Sequence, residues 1–381
     1  MPPTEAAMGD PTRERGEGDD LLFTPFDIGG VRLRNRAALS PLTRISATAA
    51  GLVTDRNARY YAGFARGGFG LIITEGTYPD TEYSQGYLHQ PGLATAAQAE
   101  AWRPVVEAVH AEGSAMFAQL MHAGAQSQGN RHRRETVGPS AVAPRGPQLA
   151  MYRGSGPYPT PRPLDVGEIA AIRRGFADAA RNALAAGFDG VEIHGANGYL
   201  VDQFLTDYFN QRQDAYAGGA ENRVRFAAEV VDAVRQAVGS ELAVGIRISQ
   251  GKVSDREHRW AGGERDAEAI FTALAGAGAG FVHTTEYRAL EPAFAAGTAT
   301  LAGLAKKFSG LPVIANGGLE VPKAARSVLE SGTADVVAIG KGALAQRDWP
   351  RRVREGLDIA SAPHPDMLSP LADIKGWELD L

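Results

Sequence analysis

His194, Asn197 and Tyr199 stand close together in the run Val191-Glu192-Ile193-His194-Gly195-Ala196-Asn197-Gly198-Tyr199. Val191 to Ile193 reads as a short strand and Asn197-Gly198 as its break, so the three side chains gather over one strand end. Imidazole and amide can both hold an oxyanion, and the phenol has a proton to give. Each residue also has a plain alternative: a buried His is commonly a satisfied core group, and a Tyr after Gly commonly packs the start of a helix. The elements around the trio must separate the two readings.

Short apolar runs at 37–40, 71–74, 115–119, 190–194, 243–247, 281–283, 313–315 and 336–339 have the character of buried parallel strands. Helical periods with end signals lie between them. Thr95 with Gln98 and Asp165 with Glu168 are capping boxes, and Gly113, Gly187 and Gly239 follow the last apolar positions of three helices. Eight alternations in one chain predict an α/β fold, a single-domain (β/α)8 TIM barrel whose strand ends share one face. The third connection, from His122 to Pro163, is long and rich in Gly, Pro and Arg, and reads as an inserted lid over the mouth. The lead-in around Gly29-Gly30 reads as a hairpin.

Those ends carry further chemistry. Asn316-Gly317-Gly318 and Gly340-Lys341-Gly342 offer backbone N–H groups and a lysine at adjacent strand ends, the usual phosphate position of a barrel. Arg247 is a strand-end cation in need of an anion or several acceptors. Gln119 offers donor and acceptor to an imide-like edge, and Thr43 a hydroxyl. Together they suit a phosphorylated ligand with an isoalloxazine ring.

Composition excludes other classes. The chain has 381 residues, no cysteine and a formal net charge of -5. Disulfides, iron-sulfur clusters, thiolate zinc and a thiol nucleophile are ruled out, and no metal ligands are assigned. Nucleic acid and membrane are not expected partners, because no long basic run or membrane-length apolar run occurs. Arg131-His132-Arg133-Arg134 reads as a solvated loop. Residues 1–20 read as a disordered tail without a signal sequence, and a cytoplasmic protein is expected. The barrel is expected over 21–360 and a C-terminal extension over 361–381.

In order along the barrel, Arg34-Asn35-Arg36, Ser40-Pro41-Leu42-Thr43-Arg44, Thr74-Glu75-Gly76-Thr77, Gln119-Leu120-Met121-His122-Ala123-Gly124, His194 to Leu205, and Tyr216-Ala217-Gly218-Gly219 with Glu221-Asn222-Arg223 resemble the old yellow enzyme family of FMN-dependent ene-reductases. The resemblance runs from Leu22 to about Asp348. It implies that Pro41, Leu42, Thr43, Gly76, Gln119 and Arg247 contact the flavin ring or ribityl chain, and that Asn316, Gly317, Gly318, Gly340 and Lys341 hold its phosphate. It further implies that His194 and Asn197 grip the carbonyl of an activated alkene, that Tyr199 gives the proton, and that NADH or NADPH is the reductant. Lys341 stands where the family often has Arg, and Ala125 where the third-strand motif commonly ends in Arg.

Three alternatives remain open at the level of sequence: the same family with other chemistry, such as demethylation or desaturation; a flavin-free barrel acting on phosphosugars as isomerase or aldolase; and a flavin-binding sensor without turnover. A small-molecule substrate and a monomer or homo-oligomer are expected. Substrate shape is expected to depend on the third connection, on residues 254–263, on Tyr78 and on residues near Tyr287.

Overall fold

In the computed structural model, which describes residues 20–380, the eight expected strands close into one parallel barrel. They are β1 (Ala37–Leu39), β2 (Leu71–Ile73), β3 (Ala115–Leu120), β4 (Gly190–Asn197), β5 (Ala243–Lys252), β6 (Phe281–Thr285), β7 (Val313–Asn316) and β8 (Val336–Ile339). Each pairs in parallel with the next, and β8 closes on β1. A helix follows each strand: α1 (Asp55–Arg66), α2 (Ala96–Ala111), α3 (Val166–Ala186), α4 (Arg225–Val238), α5 (Glu264–Gly276), α6 (Leu301–Ser309), α7 (Pro322–Glu330) and α8 (Trp349–Glu355). Both capping boxes form, at Thr95 with Gln98 and at Asp165 with Glu168, and Gly187 ends α3 in the left-handed conformation. A cap of this kind contributes ~1 kcal/mol.

Period-two alternation sorts every strand into two faces. Val191 and Ile193 of β4, Val244 and Ile246 of β5, and Val337 and Ile339 of β8 join the core under the helices. Facing inward instead, Ala38, Leu71, Ile73, Phe117, Ala243, Phe281, Ile314 and Val336 fill the end of the barrel where the strands begin. The hairpin Phe26–Ile28 with Val31–Leu33 lies across that end and adds Ile28 and Leu33 to the same cluster. Its turn has to be glycine: Gly29 has φ 58°, and a Cβ there would come within 2.9 Å of the Ala243 Cβ. Two residues further along the same inward rows the side chains become polar, first Gln119, Glu192 and His283, then His194 and Arg247. The apolar floor thus places a buried polar layer at the strand ends.

Two long excursions lie over that layer or beside it. The third connection is structured: Val137–Gly138 pairs in parallel with Arg162–Pro163, Pro147 bridges to Pro157, and a 3-10 turn covers Ala150–Tyr152. The segment beyond α8 contains 3-10 turns at Pro365–Leu368 and Gly376–Leu379 and lies back on the barrel, where Arg56 Nη1 donates to the Ile374 carbonyl at 2.6 Å. The expected extension at 361–381 is therefore, over its described residues, packed against α1. The expected disordered tail falls outside the described residues except for Asp20, which caps a 3-10 turn at Leu21–Phe23 and pairs with Arg326 at 2.8 Å.

Candidate active site

Strand β4 runs three residues further than the apolar pattern shows, so Asn197 is its last residue and not part of a break beyond it. The cause lies in β5. Gly195 is level with Ile248 but Asn197 is level with Lys252, so β5 bulges out between them. Within that bulge, Ser249 Oγ accepts the Asn197 N–H at 2.8 Å and donates to the Gly251 carbonyl at 2.7 Å. Asn197 has φ 61°, a left-handed conformation that Asn tolerates better than most residues. Gly198 follows at φ 86°, with its N–H on Asp202 Oδ2 and its carbonyl on Gln203 Nε2, both at 2.7 Å. The turn then delivers Tyr199 to the start of the short helix Leu200–Leu205, with its ring centroid 5.0 Å from that of His194.

All three members of the trio keep free hydrogen-bonding capacity. The buried His194 Nδ1 has no partner, and among the described residues the Asn197 amide has none. Burial, with Arg247 and His283 nearby, holds His194 well below the usual imidazole range, so it is neutral at pH 7 and offers one N–H. The Tyr199 hydroxyl meets the Tyr87 hydroxyl, and burial pushes its pKa far above that of a free phenol. Tyr87 packs at 4.7 Å on Tyr152 from the third connection. Tyr152 in turn lies within hydrogen-bonding reach of Thr43, and burial pushes its phenol up to about 12.

Below the trio the polar layer is a connected network. Glu192 accepts from Gln119 Nε2 at 2.8 Å and meets His283 Nδ1 at 2.7 Å. Burial pushes the Glu192 carboxyl up, but His283 and Arg247 more than offset it and hold the group below the usual range, as a carboxylate. Burial brings Arg247 down to about 10, which still leaves it cationic. Its Nη2 donates to Asn316 Oδ1 at 2.9 Å, while its buried Nε has no partner. A buried orphan donor costs ~1–3 kcal/mol. The unmet Nε of Arg247 therefore marks where an acceptor belongs, and the unpaired Nδ1 of His194 leaves that ring a further free donor or acceptor position.

Other predicted residues divide between the site and its support. Pro41, Leu42 and Thr43 are half-buried just beyond β1. A Cβ on Gly340 would meet Ser40 and Leu42 at 3.6 and 3.7 Å, so the ends of β8 and β1 face one shared space. Gly317 has φ 131°, and a Cβ there would lie 1.9 Å from the Glu286 carbonyl oxygen; Gly318 has φ 69°. Lys341 is exposed, without an ion pair among the described residues. The Asn316 side chain is engaged within the barrel: its Oδ1 accepts from Arg247 and from Thr285 Oγ1 and its Nδ2 donates to the Ala338 carbonyl at 2.8 Å. Its side chain orients Arg247. At Gly76 a Cβ would collide with Met121 Sδ at 2.6 Å, so packing explains that glycine. Tyr78 is wholly buried and takes a 2.6 Å hydrogen bond from Gln98, which removes it from the residues that shape a substrate.

Residues 21–359 match the model of the NADH:flavin oxidoreductase / NADH oxidase family. The chain belongs to this family, the old yellow enzymes. It is 37% identical over 361 residues to a probable flavin mononucleotide-dependent alkene reductase of Leishmania infantum, covering 91% of this chain and 93% of that one. It is 38% identical over 339 residues to 12-oxophytodienoate reductase 2 of Arabidopsis thaliana, covering 87% of each. Among solved structures, the old yellow enzyme homologue from Zymomonas mobilis superposes with a TM-score of 0.83 at 32% identity, covering 94% of this chain and 98% of that one.

As an old yellow enzyme, the protein is an NAD(P)H-dependent flavin oxidoreductase, and the flavin-free phosphosugar alternative falls away. Its residues fit FMN on their own terms: an arginine and a glutamine with unspent capacity, beside two glycine-bearing strand ends and a free lysine. Sequence reasoning missed Tyr87 and Tyr152 and gave no role to Glu192 and His283. The last two left a signal, as polar residues inside apolar strands. Tyr87 and Tyr152 left none, because they come from segments without a period.

Proposed function

We propose that this old yellow enzyme reduces the C=C bond of an α,β-unsaturated carbonyl compound or a similarly activated alkene at the expense of NADH or NADPH. The chemistry that FMN supplies when bound is two-electron: a hydride enters from the nicotinamide and leaves to the β carbon of the alkene. Gln119 and Arg247 would hold the ring edge, Pro41, Leu42, Thr43 and Gly76 its face or side chain, and Gly317, Gly318, Gly340 and Lys341 the phosphate. His194 Nδ1 or Nε2 and the Asn197 amide bind the substrate carbonyl oxygen and stabilise the negative charge that builds on it. Tyr199 Oη transfers its proton to the α carbon, and the Tyr87 hydroxyl donates to the oxygen left behind. Positioning by two donors also makes the transfer effectively unimolecular.

The observation that carries this reading is the trio with free capacity at one strand end, directly above the Arg247 and Glu192 layer. We place the enzyme in the cytoplasm, on a small-molecule substrate, as a monomer or homo-oligomer with neither nucleic acid nor membrane as partner. The net charge of -5 and the lack of cysteine support that setting. The test is an absorption spectrum of the purified protein without oxygen. Flavin bands are expected that bleach on addition of NADPH or NADH and return with 2-cyclohexenone. Bands that bleach but stay bleached with every activated alkene tried would leave a flavin reductase and remove the alkene chemistry.

A further inference from the structure

The C-terminal segment is tied to the loop after β1 through one arginine. Arg44 is wholly buried. Its Nη1 and Nη2 donate to the two carboxylate oxygens of Glu378 at 2.7 and 2.6 Å. Its Nε donates to the Ala372 carbonyl at 3.0 Å, and Nη2 also to the Asp373 carbonyl at 2.9 Å. The guanidinium also lies over the Tyr60 ring, whose centroid is 4.9 Å away. The carboxylate and both carbonyls thus all come from residues 372–378. Next to it, Ser46 Oγ donates to the Arg44 carbonyl and accepts the Ile374 N–H, each at 2.7 Å. The Ala372 N–H donates to the Met151 carbonyl at 2.9 Å, one residue from Tyr152.

The loop is held from its other side as well. Glu75 Oε2 accepts the Arg44 and Ile45 N–H groups at 2.8 and 3.0 Å. Between the two grips, Ile45 sits at φ 36°, a conformation that a β-branched residue keeps only where its surroundings over-determine it. Ile45 packs in one cluster with Tyr87, Met121, Ala123 and Tyr199. Strain at Ile45, a buried arginine with four of its five N–H groups engaged and contact with the proton donor's pocket all meet in two adjacent residues.

We infer that residues 372–378 are a clamp on the cofactor loop: Glu378, acting through Arg44, holds Ile45 in its strained conformation and so fixes Pro41, Leu42 and Thr43 against the flavin. The inference rests on the FMN reading above. Arg44 and Glu378 are positioning residues, since neither is assigned a contact with flavin or substrate. A planar fork matched to a carboxylate suits the task, because it fixes orientation as well as distance.

The experiment compares wild type with Glu378→Gln in three readouts: FMN dissociation constant, visible flavin spectrum, and amide hydrogen exchange at residues 41–46 in the FMN-free protein. In Glu378→Gln, FMN affinity is expected to fall and exchange at Arg44 and Ile45 to rise, each by roughly tenfold or more, with a shifted flavin band. Arg59→Ala removes only the exposed contacts to Leu379 and Asp380 and is expected to change none of the three. If Glu378→Gln does not fold, Ser46→Ala takes its place with smaller changes in the same direction. A folded Glu378→Gln or Ser46→Ala protein with wild-type FMN affinity and wild-type exchange at 44 and 45 overturns the clamp. Failure of wild type to take up FMN would overturn the FMN reading instead, while the exchange experiment still decides whether the clamp exists.

Discussion

At the scale of single residues, the trio was legible because two signals coincide: residue types with complementary chemistry, and a strand end to hold them. Tyr87 was not, since nothing in its loop announces that its hydroxyl meets that of Tyr199. The pair nevertheless makes a sharp prediction. When Tyr199 gives up its proton, the phenolate is buried and its hydrogen bond from Tyr87 becomes one to a charged group, worth ~1.5–3 kcal/mol. Tyr199→Phe is expected to leave flavin reduction by the nicotinamide near wild type and to slow alkene reduction by ~10²–10⁴-fold. Tyr87→Phe should slow the same half-reaction by roughly 10- to 100-fold and spare the other. Anaerobic stopped-flow measurement of each half-reaction separates them, and equal losses in both halves would take the proton-donor role from Tyr199.

At the scale of elements, strand number and order were legible and strand ends were not. The apolar pattern of β5 stops near Arg247, yet the strand continues through Ser249, Gln250 and Gly251 to Lys252, a sequence that reads as loop. Tertiary pairing explains the extension: Lys252 is wholly buried and donates to Asp202 Oδ1 at 2.7 Å. The other oxygen of Asp202 holds the Gly198 N–H, so this ion pair braces the turn between Asn197 and Tyr199. Removing one partner of such a pair leaves a buried charge uncompensated and costs ~3–5 kcal/mol. Lys252→Met and Asp202→Asn should each destabilise on that scale. The double variant should lose clearly less than the two together, because the amide that replaces the Asp202 carboxylate can still accept from Gly198 while the methionine fills the space of the lysine stem. Denaturant unfolding of the four proteins measures the coupling, and additive losses would show that the pair does not act as a unit.

At the scale of the whole molecule, eight repeated periods made the barrel legible, whereas the return of the C-terminal segment to the loop after β1 depends on contacts between residues more than three hundred positions apart. The same buried junction links one carboxyl to the stability of the entire fold. Burial raises Glu75 from 4.5 to about 7, against the lowering effect of the Arg44 and Ile45 amides, and its Oε1 has no partner. Between those pH values the unfolded chain has released the proton and the folded chain still holds it. The folded state then binds more protons, so stability falls as pH rises, and the loss is complete once pH exceeds about 7. The gap corresponds to ~3 kcal/mol at most. Buried His122, His194 and His283 act in the opposite direction: burial lowers them, so their contribution is present above pH 6.5 and lost as pH falls below it. Glu75→Gln removes the first slope and leaves the second. Its unfolding free energy relative to wild type should therefore climb between pH 5 and pH 8 in the FMN-free protein, by up to ~3 kcal/mol, whatever constant offset the unpaired amide adds. A difference that stays flat across that range would mean that Glu75 is already ionised in the folded state at pH 5, and that its two amide donors outweigh its burial.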